Sequence, residues 1–362
     1  MEFKHHRAIA VLLLSLSLPV SAQLWKKPSP TPPASNDMAA ALSAYQQQNY
    51  AEALRLLQPL SKKNNPQAMA QLANMYEYGI GVRKDLSEAN KLYKKVMAVH
   101  TQNALKGDPE SQYLLGQMHY SGKGVPQNVP EAMQWYIKAG DQGHLLSQYK
   151  LALLYDTGEQ TARDGTAAVQ WFTKAANQGH VNSQMFLAIK YYRGRDVDTD
   201  YKKAAEWYAK AAENGNAYSQ SALGFMYASG QGVKEDKQKA LYWYRKGAEQ
   251  GDTDSQYDLG MKLKKGDGVP RSSSEAALWF SKAAQQGQIA AQFELAQMYA
   301  AGDGIEKDPI LAYAWFNVAV MNGHYPSSKA RDSLTKSMSA DAIAEAEQLS
   351  SEWKFGLPID RQ

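Results

Sequence analysis

The sequence predicts an all-α fold, a right-handed α-solenoid of stacked helix-turn-helix repeats, and three periodic features carry this prediction. The first is tryptophan, which recurs every 36 residues with Tyr or Phe after it, at Trp135, Trp171, Trp207, Trp243, Trp279 and Trp315. The second is a glycine with the same period, at Gly143, Gly179, Gly215, Gly251, Gly287 and Gly323. The third is a helix-starting residue at one equivalent position of every unit. Seven units can be aligned in this way.

Each unit contains a first helix, a tight turn and a second helix. The first helix places a large residue beside a small one, as in Leu223 and Gly224, and the small residue lets the partner helix approach closely. A Gly-x-Gly-Val turn, as in residues 230–233, then ends this helix, because glycine readily adopts positive φ. Good N-cap residues predict the start of the second helix: Asp85, Asn128, Asp164, Asp200, Asp236, Ser272 and Asp308. The Trp-aromatic pair is expected to supply most of the buried surface.

Three units are irregular. Gln160 and Thr161 stand where the third unit should have Gly and Val, and Asp196 replaces the glycine of the fourth. These replacements predict turns of a different shape, because residues other than glycine avoid positive φ. In the first unit 43 rather than 36 residues separate Ala68 from Ser111, with the insertion near residues 96–101. The insertion predicts a second helix that is longer by about two turns.

The combined motif resembles the Sel1-like repeat family, a relative of the tetratricopeptide repeat. The fifth unit shows it in Leu223-Gly224, Tyr227, Gly230-x-Gly232-Val233, Asp236, Lys239-Ala240 and Trp243-Tyr244. The resemblance implies seven repeats, at residues 65–107, 108–143, 144–179, 180–215, 216–251, 252–287 and 288–323. A tetratricopeptide-like helix pair at 37–64 and further helices at 324–362 are expected to cap the ends, since repeat arrays need polar outer faces there.

The N-terminal residues predict export. Residues 1–22 have the layout of a signal peptide: a basic start with Lys4 and Arg7, an apolar run over residues 8–18, and small residues before Gln23. The apolar run is shorter than the roughly 20 residues of a spanning helix, and no later segment is apolar enough to cross a membrane. Residues 23–36 are predicted to form a Pro-rich linker. The lack of an Asn-x-Ser/Thr site favours the bacterial periplasm, with secretion as the alternative.

No constellation of reactive side chains predicts an enzyme, and we expect neither a cofactor nor a metal site. The absence of cysteine excludes thiol catalysis and thiolate ligands. Histidines at the repeat junctions, His144, His180 and His324, should lie about 10 Å apart in adjacent copies, too far to share a metal. A lysine ladder on the second helices, at Lys138, Lys174, Lys210, Lys246 and Lys282, is better explained by a solvated face than by an anionic ligand. A net charge of +4 gives no reason to expect nucleic-acid binding.

The candidate binding site is a stripe of apolar side chains on the first helices. By analogy with tetratricopeptide arrays, these side chains should line a concave wall, and their types are enriched at protein contacts. The stripe comprises Tyr113, Tyr149, Met185, Ile189, Phe225, Tyr257, Met261 and Phe293. The alternative is that these side chains interdigitate between adjacent first helices and leave a polar wall.

The predicted function is a periplasmic or secreted, non-enzymatic scaffold that binds a protein or peptide in this groove, in an oligomeric state left open. The family resemblance implies roles in envelope assembly, exopolysaccharide machinery, motility or host contact. Glycan or peptidoglycan binding is an alternative, which is supported only by the tyrosines of the stripe. Hydrolysis of β-lactams or peptidoglycan is a further alternative, implied by cysteine-rich relatives whose cysteines this chain lacks.

Overall fold

The structure, a computed structural model, describes residues 36–359. The predicted signal peptide and residues 23–35 of the predicted linker lie outside this range. Every regular element between residues 36 and 359 is helical, with 18 α-helices, one short 3₁₀ helix and no strand. The all-α prediction is therefore confirmed for this part of the chain.

The helices follow one another as pairs. The first pair is α1 (Asn36–Gln46) and α2 (Tyr50–Lys62). The repeat pairs are α3 (Pro66–Tyr78) and α4 (Leu86–Leu105), α5 (Pro109–Ser121) and α6 (Val129–Asp141), α7 (Leu145–Thr157) and α8 (Gly165–Asn177), α9 (Val181–Arg193) and α10 (Tyr201–Glu213), α11 (Ala217–Ser229) and α12 (Lys237–Glu249), α13 (Thr253–Lys265) and α14 (Ser273–Gln285), and α15 (Ile289–Ala301) and α16 (Pro309–Met321). The last elements are α17 (Pro326–Leu334), the 3₁₀ helix Thr335–Ser337 and α18 (Ala340–Glu352).

Two compact units make up the chain, one ending at Leu151 and the other beginning at Ala152, inside α7. In the first unit, the helices from α1 to α4 share a core that includes Met38, Leu57 and Met75. In the second unit, each of α10, α12 and α14 packs against its own first helix and against the first helix of the next repeat. Helix α4 has 20 residues where the other six second helices have 13, which confirms the predicted insertion.

All seven predicted N-caps of the second helices are confirmed. Oδ1 of Asp236 accepts hydrogen bonds from the backbone N–H groups of Gln238 and Lys239 at 3.1 and 2.9 Å. The other caps accept in the same way, at Asp85, Asn128, Asp164, Asp200, Ser272 and Asp308. Each cap satisfies a donor that a helix start leaves unpaired, which is worth about 1 kcal/mol.

At the position of the missing glycine, both irregular turns keep the left-handed backbone of the regular ones, but the turn of the third unit differs in its hydrogen bonds, because the N–H of Thr161 donates to the carbonyl of Gly158 at 3.3 Å. The prediction of a different shape is therefore wrong for the turn at Asp196 and confirmed in part for the turn at Gln160. Gln160 and Asp196 have φ values of 55° and 67°, close to the 69–81° of the glycines at the same position. The turn is held by its neighbour in the preceding repeat: a Cβ atom at Gly232 would collide with the backbone of Tyr201. Tertiary packing therefore outweighs the local cost of a left-handed backbone, about 1–2 kcal/mol for a residue with a side chain.

In five of the six pairs the residue after the tryptophan is more deeply buried than the tryptophan itself, whereas Trp315 and Phe316 are both 2% exposed. Tyr208 is 2% exposed, whereas Trp207 is half-buried. The equivalent rings are also exposed by 2% or less, at Tyr136, Phe172, Tyr244, Phe280 and Phe316. A Cβ atom at Gly224 would lie only 2.9 Å from the ring of Tyr244. The small residue of the first helix therefore makes room for this ring, which confirms the predicted close approach.

A buried glutamine on each first helix from α5 to α15 ties that helix to the preceding repeat. Nε2 of Gln220 donates to the carbonyl of Ala212 in the last turn of α10, at 3.0 Å. Its Oε1 accepts from Nε2 of Gln250 at the end of α12, at 2.6 Å. The bond to a helix-end carbonyl recurs at Gln112, Gln148, Gln184, Gln256 and Gln292. The recurring glutamine of the sequence is therefore a structural link between repeats.

Candidate partner-binding wall

The eight predicted site residues all lie on first helices, but the structure divides them into two groups. Four are buried, with 1–8% exposure: Tyr113, Tyr149, Met185 and Ile189. The other four are half-buried, on α11, α13 and α15: Phe225, Tyr257, Met261 and Phe293. An exposed stripe along all the repeats is therefore not present, and the first four residues belong to the core.

The aromatic members of the stripe pack against the core ring of their own repeat. The ring centres of Tyr113 and Tyr136 are 5.8 Å apart, and those of Tyr257 and Phe280 are 5.9 Å apart, both in tilted arrangements. Tyr113 also contacts His144, at 4.8 Å between ring centres. These contacts are typical of buried aromatic pairs. These rings therefore pack between the first and second helices of their own repeat, whereas the alternative drawn from the sequence placed them between adjacent first helices.

What remains accessible is a shorter surface, which we call the α11–α15 wall and define by Phe225, Tyr257, Met261 and Phe293. Phe225 and Met261 occupy equivalent positions of adjacent repeats, and so do Tyr257 and Phe293. Side chains one repeat apart lie side by side at the spacing of packed helices, about 10 Å. The wall is therefore a patch with two parallel rows of apolar side chains.

Two carboxylates stand on the same helix as Tyr257 and Met261. Asp254 and Asp258 lie one turn apart on α13, where like charges repel. Burial, and then the charge of Asp254, raise the pKa of Asp258 to about 7, although a hydrogen bond with Tyr244 acts in the opposite direction. Burial also raises the pKa of Asp254. A cation placed beside them would favour the ionised form of both side chains.

Two of the junction histidines, His144 and His180, cap helix starts by accepting a backbone N–H, in agreement with their structural interpretation. Nδ1 of His180 accepts the backbone N–H of Ser183 at 3.2 Å and lies 2.9 Å from its Oγ. Burial lowers the pKa of His180, which favours the neutral ring that can accept. Nδ1 contacts with a serine three residues on recur at His144 with Ser147 and at His324 with Ser327.

The lysine ladder rests on the tryptophans. In four repeats Nζ lies 3.8–4.3 Å from the ring centre, in the pairs Lys138 and Trp135, Lys174 and Trp171, Lys210 and Trp207, and Lys282 and Trp279. Lys246 instead approaches Tyr242, at 5.9 Å. Cation–π contacts of this kind are attractive even at exposed sites. They support the packing interpretation of the ladder over an anion-binding one.

A buried charge cluster was not predicted from the sequence. Lys190, whose side chain is 4% exposed, stands where Met226 stands in the next repeat. Its Nζ lies 2.7 Å from Oδ1 of Asp156 and 2.8 Å from Oδ2 of Asp196. Arg163 bonds to Asp196 at 2.5 Å, and this bond is the main reason why the pKa of Asp196 falls to about 2. Asp156 and Arg163 belong to the third repeat, and Lys190 and Asp196 belong to the fourth. The ion pairs among them therefore join two repeats. A lysine at an apolar position was the signal that could have revealed it.

Comparison with known proteins decides the family. The Sel1 repeat signature matches seven segments, at residues 66–95, 109–144, 145–180, 181–216, 217–252, 253–288 and 289–324. The chain belongs to the Sel1 repeat family. This membership confirms the resemblance seen in the motifs and the predicted all-α repeat solenoid.

Two solved structures are similar to this Sel1 repeat protein over most of its length. A Sel1 repeat protein from Oxalobacter formigenes is 30% identical with a TM-score of 0.65, and the match covers 89% of this chain and 93% of that one. A protective antigen present in uropathogenic Escherichia coli strains is 27% identical with a TM-score of 0.62, and the match covers 88% and 76%.

Curated relatives match a shorter part. An exopolysaccharide production negative regulator of Rhizobium leguminosarum bv. viciae is 38% identical over 80 residues, and one of Rhizobium meliloti is 36% identical over 80 residues. The match covers 21% of this Sel1 repeat chain and 28% of each relative. The chain therefore spans just over a quarter of the curated relatives it matches.

Between residues 36 and 359, no group of three or more His, Cys, Asp or Glu side chains could hold a metal ion. Within that range, too, none of the helices combines the length and the apolar character that crossing a bilayer requires.

Proposed function

We propose that this Sel1 repeat protein is an exported, non-enzymatic scaffold that binds a segment of a partner protein along the α11–α15 wall. The observation that carries the proposal is the half-buried state of Phe225, Tyr257, Met261 and Phe293 on three adjacent first helices. Aromatic residues and methionine are enriched at protein contacts, and methionine adapts to irregular surfaces.

The charges beside the wall favour a partner segment with basic side chains. Asp254 and Asp258 share one helix face with Met261, and each has a raised pKa, which means that the folded chain makes their ionisation costly. A lysine or arginine of the partner would reduce that cost by pairing with them. Partner binding should then lower the pKa of Asp258, and proton release should accompany it near neutral pH.

The proposal that the protein is not an enzyme is supported by the structural contacts that its histidine and lysine side chains make. His180 caps a helix, and Lys190 is paired with two carboxylates. No base, acid and nucleophile converge among the residues described here in the way that a catalytic site requires.

The proposal of export rests on the sequence of residues 1–22. It is tested by cell fractionation and N-terminal sequencing of the purified protein. We expect a mature chain that begins at Gln23 in the periplasm or the medium. An uncleaved chain that remains in the cytoplasm would contradict export without affecting the proposed binding wall.

The binding proposal is tested by capture from envelope extract with purified protein. Phe225→Gln with Met261→Gln is a well-suited variant, because glutamine already occupies this position in other repeats, at Gln117 and Gln297. The matched control changes two exposed residues of the second helices, Tyr242→Gln with Leu278→Gln. We expect capture of the partner to fall at least about tenfold for the wall variant and to persist for the control. Equal capture by both variants would exclude the wall.

Control of exopolysaccharide production is the process favoured among those that the family resemblance leaves open. The relatives that match over 80 residues are negative regulators of exopolysaccharide production. Deleting the gene should then raise exopolysaccharide output, and the wall variant should fail to restore it. Unchanged output in the deletion strain would remove this candidate while leaving partner binding open.

A further inference from the structure

In the second unit, each glycine turn sits on the start of the preceding second helix. A Cβ atom at Gly232 would collide with Tyr201, the first residue of α10. The same close contact joins the next two junctions, Gly268 with Lys237 of α12 and Gly304 with Ser273 of α14. The start of a second helix is therefore a seat for a Gly-x-Gly turn of the following repeat.

In the described residues, no Gly-x-Gly turn follows the last second helix, α16. After α16, helix α17 keeps one feature of a first-helix start, because Nδ1 of His324 contacts Oγ of Ser327 as His180 contacts Ser183 in α9. It ends after 9 residues instead of 13, however. Met338 and Ala340 stand one period after Gly302 and Gly304, where the two turn glycines would be. The eighth unit is thus cut short before its turn.

A cleft occupies the place of the missing turn. Its volume is about 610 Å³, within the usual size of a binding site. Apolar side chains make up much of its lining: Tyr299, Ile305, Pro309, Ile310, Leu311 and Met338. Ile305, Ile310 and Leu311 are half-buried rather than buried, so the last repeat retains apolar surface at this point.

We propose that this terminal cleft is a second binding site, which accepts a glycine turn with a β-branched apolar residue, presented by a partner protein. The argument is the precedent within the chain, because three equivalent seats are filled by turns of this kind. Glycine allows the partner backbone to approach Pro309 closely, and the side chain after it enters the apolar part of the cleft. The cleft is lined by none of the four residues that define the α11–α15 wall, so each binding proposal can be tested independently of the other.

The probe is a synthetic peptide with the sequence of residues 226–236, which contains the turn Gly230-x-Gly232-Val233. It is titrated into the full chain carrying ¹³C-labelled isoleucine and leucine methyl groups. We expect saturable NMR shifts at Ile305, Ile310 and Leu311, and none at distant methyl groups. A control peptide with Gly232→Ala and Val233→Asp should produce no such shifts.

Two protein variants locate the binding. Ile310→Lys and Met338→Glu place charges on opposite walls of the cleft, and each should weaken peptide binding at least about tenfold. Tyr242→Gln, on an exposed second-helix position, should leave binding unchanged. Unaltered distant methyl shifts will establish that each variant is folded. The proposal is overturned by an absence of saturable shifts, by full binding to both cleft variants, or by equal binding of the control peptide.

Discussion

The carboxylate of Asp196 occupies the space that a methyl group on Gly165 would need. In regular junctions the glycine belongs to the turn and the side chain to the helix start, as in Gly232 against Tyr201. Here the arrangement is exchanged: the turn carries the side chain, and α8 begins with the glycine. The exchange brings Asp196 within bonding distance of Lys190 and Arg163.

This relationship predicts that Gly165→Ala destabilises the second unit. Alanine is normally better than glycine in a helix, but here its methyl group would displace Asp196 from Lys190. Loss of a hydrogen bond to a charged group costs about 1.5–3 kcal/mol, which exceeds the gain in helix propensity. Urea unfolding measures the difference. The double variant Gly165→Ala, Asp196→Gly restores room for the methyl group but leaves Lys190 less paired. A single variant as stable as the wild type would contradict the argument.

One of the recurring buried glutamines lacks a hydrogen bond that its equivalent in the next repeat makes, and this difference predicts a stabilising substitution. Oε1 of Gln184 is buried without a hydrogen-bond partner, whereas Oε1 of Gln220 accepts from Gln250. Asn214 occupies the donor position for Gln184 but donates to the carbonyl of Lys210 instead, whereas Asn322 reaches Gln292 only at 3.2 Å and the longer Gln250 reaches Gln220 at 2.6 Å. We expect Asn214→Gln to raise the free energy of unfolding by about 0.5–1.5 kcal/mol. The reciprocal control, Gln250→Ala, should lower it by removing the partner of Gln220. Thermal and urea denaturation of both variants would check the opposite signs.

The unequal burial of the aromatic pair predicts unequal costs of truncation. Tyr208→Ala should cost about 3–5 kcal/mol, as for a large core residue, because Tyr208 is 2% exposed. Trp207→Ala should cost less, since Trp207 is half-buried and removes less surface from water. Because repeats contact only their neighbours, hydrogen exchange should rise mainly around residues 180–251 in Tyr208→Ala. A larger effect at Trp207, or uniform loss of protection along the chain, would refute this reasoning.

The capping role of His180 predicts a pH dependence of stability. Burial lowers the pKa of His180 in the folded chain, whereas an unfolded histidine titrates near about 6.5. Below that pH the unfolded state binds more protons than the folded state, so the free energy of unfolding falls as pH falls. Above it the contribution is fully present.

The matched variant is His180→Asn, because asparagine already caps the equivalent helix at Asn216 and does not titrate in this range. The difference in unfolding free energy between wild type and variant should be constant above about pH 7 and should shift in favour of the variant below about pH 6. A difference that does not change with pH would rule out the cap as a titrating group. His100, whose pKa is also lowered by burial, is present in both proteins and cancels in the difference.

The sequence by itself determined the features that repeat. The caps at Asp236 and its six equivalents, the longer α4 and the pairing of Gly224 with a large ring could all be predicted, because each depends on residues a few positions apart or on a spacing that recurs. Local hydrogen bonding and helix geometry suffice for such predictions.

Only the tertiary structure decided the features in which one repeat differs from another. Asp196 adopts the turn conformation of a glycine because Gly165 of the preceding repeat leaves space for it. Tyr149 and Met185 are buried while Tyr257 is half-buried, although all three share one position of the repeat. Burial depends on the side chains that neighbouring helices bring to each site, and these side chains lie far away in sequence. The extent of the α11–α15 wall and the terminal cleft follow from that packing, which the period of the sequence does not encode.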